Sequence, residues 1–301
     1  MFNRYHRLVS SWRLFRPLRE PGGRMDNKET NPCWGRVLLA AILLITGVAL
    51  LMPTPASPQF YVRQPDVETG VSEVEEHGAA FVGPGDDEEL RQSHEVEFTR
   101  GLTDRTEFIV EGFFEQPIGD NLQATEFEIG GQYELIKPQE EDGFALTFRT
   151  LYEAVKDAPD EILFGPLARY AVGRNSTTLN TFFVGQVGDH PTIDALEFQY
   201  NWQFKHELNH RVAFGVEAFG EIEDLAHPGS FNDQLHRAGP VIYLNFGEEA
   251  EGYAGGKGES KESEHEQKSE APELKMAAGV LLGLSDATSD VTFKLDTELE
   301  F

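Results

Sequence analysis

From about residue 70 to its last residue, the chain alternates apolar and polar side chains with a period of two. In "ALEFQYNWQFK" one face takes Leu196, Phe198, Tyr200, Trp202 and Phe204, and the other takes Glu197, Gln199, Asn201, Gln203 and Lys205. "TEFEIGGQYEL" sets Phe127, Ile129, Tyr133 and Leu135 against Glu126, Glu128, Gln132 and Glu134. "FALTFRTLYEA" sets Phe144, Leu146, Phe148 and Tyr152 against Thr147, Arg149 and Glu153, with Leu151 on the polar side. Successive side chains of a strand point to opposite faces, so the pattern makes strands with one apolar face. Twelve such segments are expected, near 71–83, 91–101, 105–116, 122–136, 143–155, 160–173, 176–187, 194–206, 210–222, 233–247, 272–285 and 288–301. The first is weakly patterned, and Pro166 and Pro240 interrupt two others.

Soluble strands average about 5–6 residues, whereas about 9–11 tilted residues cross the hydrocarbon of a bilayer. Lipid offers no hydrogen-bond partners, so a spanning sheet must close on itself, and an even strand count lets its ends pair antiparallel. The expected fold is therefore all-β, a transmembrane antiparallel barrel of about twelve strands over 71–301. The competing architecture is a soluble sandwich that buries the aromatic faces against a second sheet.

The N-terminal part favours export. A basic residue precedes sixteen largely apolar residues, Val37–Met52, and "TPAS" follows. That core is nearer a secretory signal than a spanning helix of about 20 residues. Residues 1–56 are read as a signal peptide, with Met25 as a possible true start, and 57–70 as a periplasmic linker. An uncleaved N-terminal anchor is the alternative. The single Cys33 would leave with the leader, so the mature chain needs no disulfide and has no lipid-anchor cysteine.

Beyond residue 56 the chain holds 17 basic and 49 acidic residues. Such a charge repels nucleic-acid backbones and suits cations or basic partners.

The last segment, "VTFKLDTELEF", alternates Val291, Phe293, Leu295, Thr297, Leu299 and Phe301 with Thr292, Lys294, Asp296, Glu298 and Glu300, and stops on the aromatic. Here the chain resembles Gram-negative outer-membrane β-barrel proteins, whose last strand commonly ends in Phe or Trp. Short links such as "GLTDRTEF" are similar to those of small, poorly characterised proteobacterial barrels assigned as transporters. The resemblance implies an outer-membrane location and an assembly role for Phe293, Leu295, Leu299 and Phe301. It also implies outer-membrane lipids, lipopolysaccharide, periplasmic chaperones and the barrel-assembly machinery as partners.

With a periplasmic N-terminus, the links at 101–105, 137–143, 173–176 and 207–209 face the periplasm and are short, as such turns are. The stretch 247–272 breaks the pattern. Its Gly, Ser, Lys and Glu content supports no core, and it is expected to be a disordered acidic loop.

Several motifs carry possible chemistry. "HELNH" (206–210) matches the zinc-protease signature, which needs a helix to set both histidines on one face. Strict alternation runs into and out of it, so it is expected to be a hairpin turn with Asn209 as the turn residue. His206 and His210 remain candidates for a cross-strand metal site at the rim; otherwise no metal, cofactor or catalytic residue is expected. A barrel phospholipase would need an outward Ser–His pair; the outward histidines are His94 and His236, and His236 is expected in an interfacial girdle. "GPGDDEE" (83–89) has carboxylates but lacks the spacing of a dedicated calcium loop, and the sequon at 175–177 carries no weight in a bacterial barrel.

The expected interior is acidic. Lumen-lining candidates are Glu95, Glu97, Glu107, Glu111, Glu126, Glu128, Glu197 and Glu217, with Glu134, Asp296 and Glu298 also facing inward. Against them stand Arg149, Arg169, Lys205, Arg237, Lys275 and Lys294. This excess of acids predicts a passive or semi-selective pore for small solutes with a cation bias. The alternatives are a non-conducting structural or interaction barrel closed by Glu–Arg pairs and, less favoured, an outer-membrane enzyme.

Overall fold

In a computed structural model of the chain, residues 60–83, 90–117, 121–138, 142–156, 158–188, 196–247 and 272–301 are described. The leader at 1–56, residues 84–89 of the "GPGDDEE" stretch and nearly all of the 247–272 stretch lie outside them. Twelve strands follow in chain order: β1 (Ser72–Val82), β2 (Leu90–Gly101), β3 (Thr106–Pro117), β4 (Gln123–Ile136), β5 (Gly143–Val155) and β6 (Glu161–Val172) make the first half. β7 (Asn175–Gln186), β8 (Glu197–Asn209), β9 (Val212–Ile222), β10 (Leu235–Asn245), β11 (Glu273–Gly283) and β12 (Val291–Glu300) make the second. Each pairs antiparallel with its chain neighbours, and β1 pairs with β12, so the sheet closes. The closing ladder runs from Glu73 opposite Glu300 to Val82 opposite Val291. Phe301 finishes it: its N–H donates to the Ser72 carbonyl and the Ser72 N–H donates to its carbonyl, both at 2.9 Å.

Strands of 10–14 residues match a bilayer. At ~3.3 Å per residue, twelve residues extend about 40 Å, and a tilt of about 40° brings that to roughly 30 Å of membrane. The outward row carries exposed Phe98, Phe127, Ile129, Phe148, Phe214 and Phe293. So large an apolar surface, running round the barrel, is stable only against lipid. Among the described residues no helix is long and apolar enough to cross a membrane.

The weakly patterned first segment is a full strand. Its outward row holds Glu76, whose carboxylate lies 2.7 Å from the ring of His94 on β2, and its inward row holds Glu73, Glu75 and His77, so neither face reads as purely apolar. Pro166 and Pro240 also depart from expectation: β6 and β10 continue through them. Each opens a gap in one ladder only, between Phe164 and Leu167 toward β7 and between Ala238 and Val241 toward β11. The opposite ladders run straight through Pro166 and Pro240. Proline has no N–H to give, so it is tolerated where one ladder is already broken. A glycine precedes each, because a Cβ at Gly165 would sit 1.8 Å from the Thr181 carbonyl and one at Gly239 would sit 1.9 Å from that of Val280. No side chain fits there.

The interior departs from expectation in two ways. First, one wall is apolar: Ile109, Leu151, Leu163, Leu167, Phe182 and Val184, all on inward rows, form a buried cluster. Second, residues 60–70, expected as a periplasmic linker, run inside the barrel. Phe60 and Val62 pack on Phe81, Phe219 and Leu281, closing a second internal apolar cluster. The segment stays there because it supplies what the wall lacks: apolar filling at one end, and a cation among buried acids in the middle.

The links β2–β3, β4–β5, β6–β7 and β8–β9 share an end with the start of β1 and the finish of β12; this is called the turn end, and the opposite rim the loop end. The inner segment meets the turn end at Gly70, whose N–H donates to the Gly101 carbonyl at 2.9 Å. Val67 lies a little deeper, its carbonyl accepting from Lys137 at 2.6 Å, and Phe60 lies beyond mid-barrel, under Phe81 and Arg237.

Candidate functional site

Strand register builds the central feature. Glu298 on β12 stands opposite Glu75 on β1, and Glu75 opposite Glu97 on β2. Glu97 stands opposite Glu111, Glu111 opposite Glu128, Glu128 opposite Glu153, and Glu153 opposite Glu161. Seven consecutive strands thus present a glutamate at directly paired positions on the inner wall. Because barrel strands tilt, a line of paired residues climbs the wall as it circles it. This one starts near the turn end, where Glu298 and Glu75 lie near strand ends, and finishes near the loop end at Glu153 and Glu161.

Like charges directly across a ladder repel, so such a row must be compensated. At its foot Lys275 donates to Glu298 at 2.7 Å and to Glu300 at 3.0 Å. At mid-height two arginines do the work. Arg149 on β5 binds Glu97 at 3.1 Å and also bonds Glu111. Arg63 comes from the inner segment, with Nη2 2.5 Å from Glu95 and 3.1 Å from Glu111, and Nε 3.4 Å from Glu97. All five side chains are almost fully buried. Opposite charges in low dielectric attract strongly, and here that attraction offsets the cost of removing them from water.

The inner segment is tied to much of the wall. The backbone N–H of Arg63 donates to Asn180 Oδ1 at 2.8 Å, and Asn180 Nδ2 donates back to the Arg63 carbonyl at 3.0 Å. Asn201 Nδ2 donates to the Tyr61 carbonyl at 2.9 Å, Thr147 Oγ1 donates to the Pro65 carbonyl at 2.5 Å, and Arg169 binds Asp66 at 2.5 Å. The Tyr61 ring stacks on His77 at 3.8 Å between centroids. The guanidinium of Arg237 lies 4.2 Å from the centre of the Phe60 ring and 4.6 Å from that of Phe81. These bonds satisfy backbone groups that would otherwise be buried without partners, which an irregular segment inside a barrel requires.

Between the segment and the turn end lies a cavity of about 560 Å³, lined by Glu73, Glu107, Glu217, Glu298, Lys205 and Lys275 among others. Higher on the wall, Glu126, Glu128 and Glu153 bring carboxylate oxygens within 4.8 Å of one another.

Every lumen residue expected from the sequence lies on an inward row: Glu95 and Glu97 on β2, Glu107 and Glu111 on β3, Glu126 and Glu128 on β4, Arg149 on β5, and Arg169 on β6. The same holds for Glu197 and Lys205 on β8, Glu217 on β9, Arg237 on β10, Lys275 on β11 and Lys294 on β12. They do not form one open surface. Lys294 is enclosed between Glu217 at 2.6 Å and Asp296 at 2.8 Å, and Arg237 is covered by Phe60. Sequence reasoning missed Arg63, because its segment has no strand period. The surplus of inward acids over bases was the available sign that a further cation was needed.

The remaining candidates are placed as follows. Phe293 and Phe301 are exposed on the outer row, Leu295 is half-buried there and Leu299 is buried. The first four residues of "HELNH" belong to β8, and the turn is His210–Arg211, just beyond the 207–209 link expected. Asn209 Oδ1 accepts from the N–H groups of Arg211 at 2.9 Å and Val212 at 3.0 Å. His206 stands opposite Phe214 and bonds Asn175 at 2.8 Å, while His210 contacts Arg211 within the turn, so the two histidines are not a cross-strand pair. Replacing both with Ala is expected to change stability by less than about 0.5 kcal/mol, measured as the midpoint of the heat-dependent gel-mobility change. A loss above about 2 kcal/mol would show that they hold something this geometry does not reveal. Of the outward histidines, His94 faces Glu76, and His236 bonds Tyr200 at 3.1 Å and Gln234 at 2.8 Å and stacks on Phe231.

No protein-family model matches the chain, and no curated protein matches it. Among solved structures it is similar to a KdgM porin, at 6% identity and a TM-score of 0.44, over 76% of this chain and 98% of that one. Omp33 of Acinetobacter baumannii is similar at 8% identity and a TM-score of 0.41, over 77% and 98%. OccK7 (OpdD) of Pseudomonas aeruginosa is similar at 11% identity and a TM-score of 0.34, over 79% and 72%. The architecture stands on the strand pairings themselves. A closed, even-stranded antiparallel sheet with an apolar outer row is the arrangement by which strands cross a bilayer without unpaired backbone, and this chain folds as a twelve-stranded barrel of that transmembrane type.

Proposed function

We propose that the barrel passes small cationic solutes across the outer membrane, with residues 60–71 as a built-in plug that holds the lumen closed in the conformation described. The observation that carries this reading is the glutamate row from Glu298 to Glu161, which links the two rims along one wall. Carboxylates at short, regular intervals favour cations by their field and offer successive weak sites, which conduction needs for both entry and exit. With the termini on the periplasmic side, the 560 Å³ cavity is a vestibule open to the periplasm.

Reversal potentials across a bilayer under a salt gradient test the selectivity, using barrels opened by plug removal. A potential displaced toward the cation equilibrium is expected, and Glu128→Gln with Glu153→Gln should move it back toward zero. Anion preference would sink the charge argument. A second reading is a permanently non-conducting structural barrel, favoured by the Arg149 ion pairs with Glu97 and Glu111 and by the internal apolar cluster around Leu167. Absence of current even without the plug would select it.

A further inference from the structure

We infer that the mid-lumen acid site is a binding site for guanidinium-bearing organic cations, which Arg63 occupies as a tethered stand-in. The inference rests on the passage reading and names the class of solute that it serves.

Three observations carry it. The wall alone supplies the acceptors, Glu95 and Glu97 from β2 and Glu111 from β3, while the cation comes from a segment outside the strand ladders. A planar fork of five N–H donors fits carboxylates at such spacing better than a point charge does. Second, the site has acceptor capacity that Arg63 does not use: one oxygen of Glu95 and one of Glu128 are buried without a hydrogen-bond partner among the described residues. Third, the wall carries its own cation, Arg149, which also binds Glu97 and Glu111, so these acids stay partly compensated when Arg63 leaves. A site that held its counter-ion only for stability would need no second arginine on a removable strap.

Competition sets the concentration scale. A tethered group acts at an effective concentration of about a millimolar, so a free guanidinium must reach that range to replace it. A solute with two cationic groups would engage Glu128 as well and compete at lower concentration. Binding of this kind is weak enough for release, as a transport site requires.

The test is chemical rescue of the full-length Arg63→Ala barrel in detergent and in planar bilayers. Methylguanidinium at millimolar concentration is expected to raise the midpoint of the heat-dependent mobility change of Arg63→Ala, saturably, and to shift the wild type much less, because Arg63 already holds the site. Tetramethylammonium, charged but without N–H donors, and urea, planar but neutral, are expected to raise the midpoint of neither protein. Adding Glu111→Gln to Arg63→Ala should weaken the methylguanidinium effect at least about tenfold, the loss of one charge-assisted bond. No shift, or an equal shift with tetramethylammonium, overturns the site. Should Arg63→Ala fail to assemble alone, its rescue during refolding by methylguanidinium but not by tetramethylammonium supports the site, and absence of rescue overturns it. Current through Arg63→Ala that methylguanidinium does not block removes the site and leaves passage standing. A specific thermal shift without current in any variant removes passage and leaves the site standing.

Discussion

Deleting residues 60–67 is expected to turn a barrel closed at moderate voltage into one that carries steady current. The segment passes through the lumen and is bonded to Glu95 and Glu111, Thr147, Arg169, Asn180 and Asn201, which lie on six different strands. Its removal frees the mid-lumen acids to hydrate and uncovers Arg237. Arg63→Ala should give a graded version of the same result. Leaving three acids buried against the plug raises the docked state by about 3–5 kcal/mol. That moves the ratio of docked to released plug on the order of 10²–10⁴-fold, read as open probability in single-channel records. Phe60→Ala removes edge contacts with Phe81 and Phe219 and the ring beneath Arg237, and should also open the barrel, without altering the acid site. If the deleted and intact barrels are equally silent, closure belongs to the wall, and the structural-barrel reading prevails.

Arg149→Ala should be among the most destabilising single changes in the wall. Its guanidinium is almost fully buried and binds Glu97 and Glu111, which among the described residues share only Arg63 as a further paired cation. Removing one partner of a buried ion pair costs about 3–5 kcal/mol, because the remaining charge stays desolvated. Denaturant unfolding in lipid vesicles should show this loss, and Arg149→Ala combined with Glu111→Gln should recover a large part of it. Arg169→Ala is the contrast. Its pair with Asp66 is partly exposed, so about 1 kcal/mol or less is expected. Equal losses at Arg149 and Arg169 would mean that water reaches the mid-lumen, and that the row of glutamates is solvated in the closed barrel.

The strands were legible to within about three residues because each carries its own evidence. Whether Phe198 and Tyr200 share a face opposite Gln199 is a property of one strand's backbone, independent of its neighbours. The same reasoning placed Glu97, Glu111 and Glu128 inward. The prolines misled because a broken ladder beside Pro166 or Pro240 involves β7 or β11, and no single segment contains that information. The inner apolar cluster was masked for a related reason: Leu151 on a polar row looks like an irregularity until Ile109, Leu163 and Phe182 are brought beside it.

The "HELNH" string shows the same division. Alternation on both sides excluded the zinc helix, while the turn position and the Asn175 partner of His206 required the hairpin and its neighbour.

By itself the amino-acid sequence determined that this chain builds long one-sided strands, about twelve of them, and which side chains face inward. It did so because a strand's period is local and lipid enforces the alternation over every crossing. The tertiary structure alone decided which inward glutamates stand opposite one another. Register is a relation between strands, and seven acids become one continuous row only when the barrel closes with this stagger. It alone decided, too, that residues 60–71 fill the lumen, since a segment outside the ladders has no period to read, and its place is set by the charges and cavities that the other strands leave.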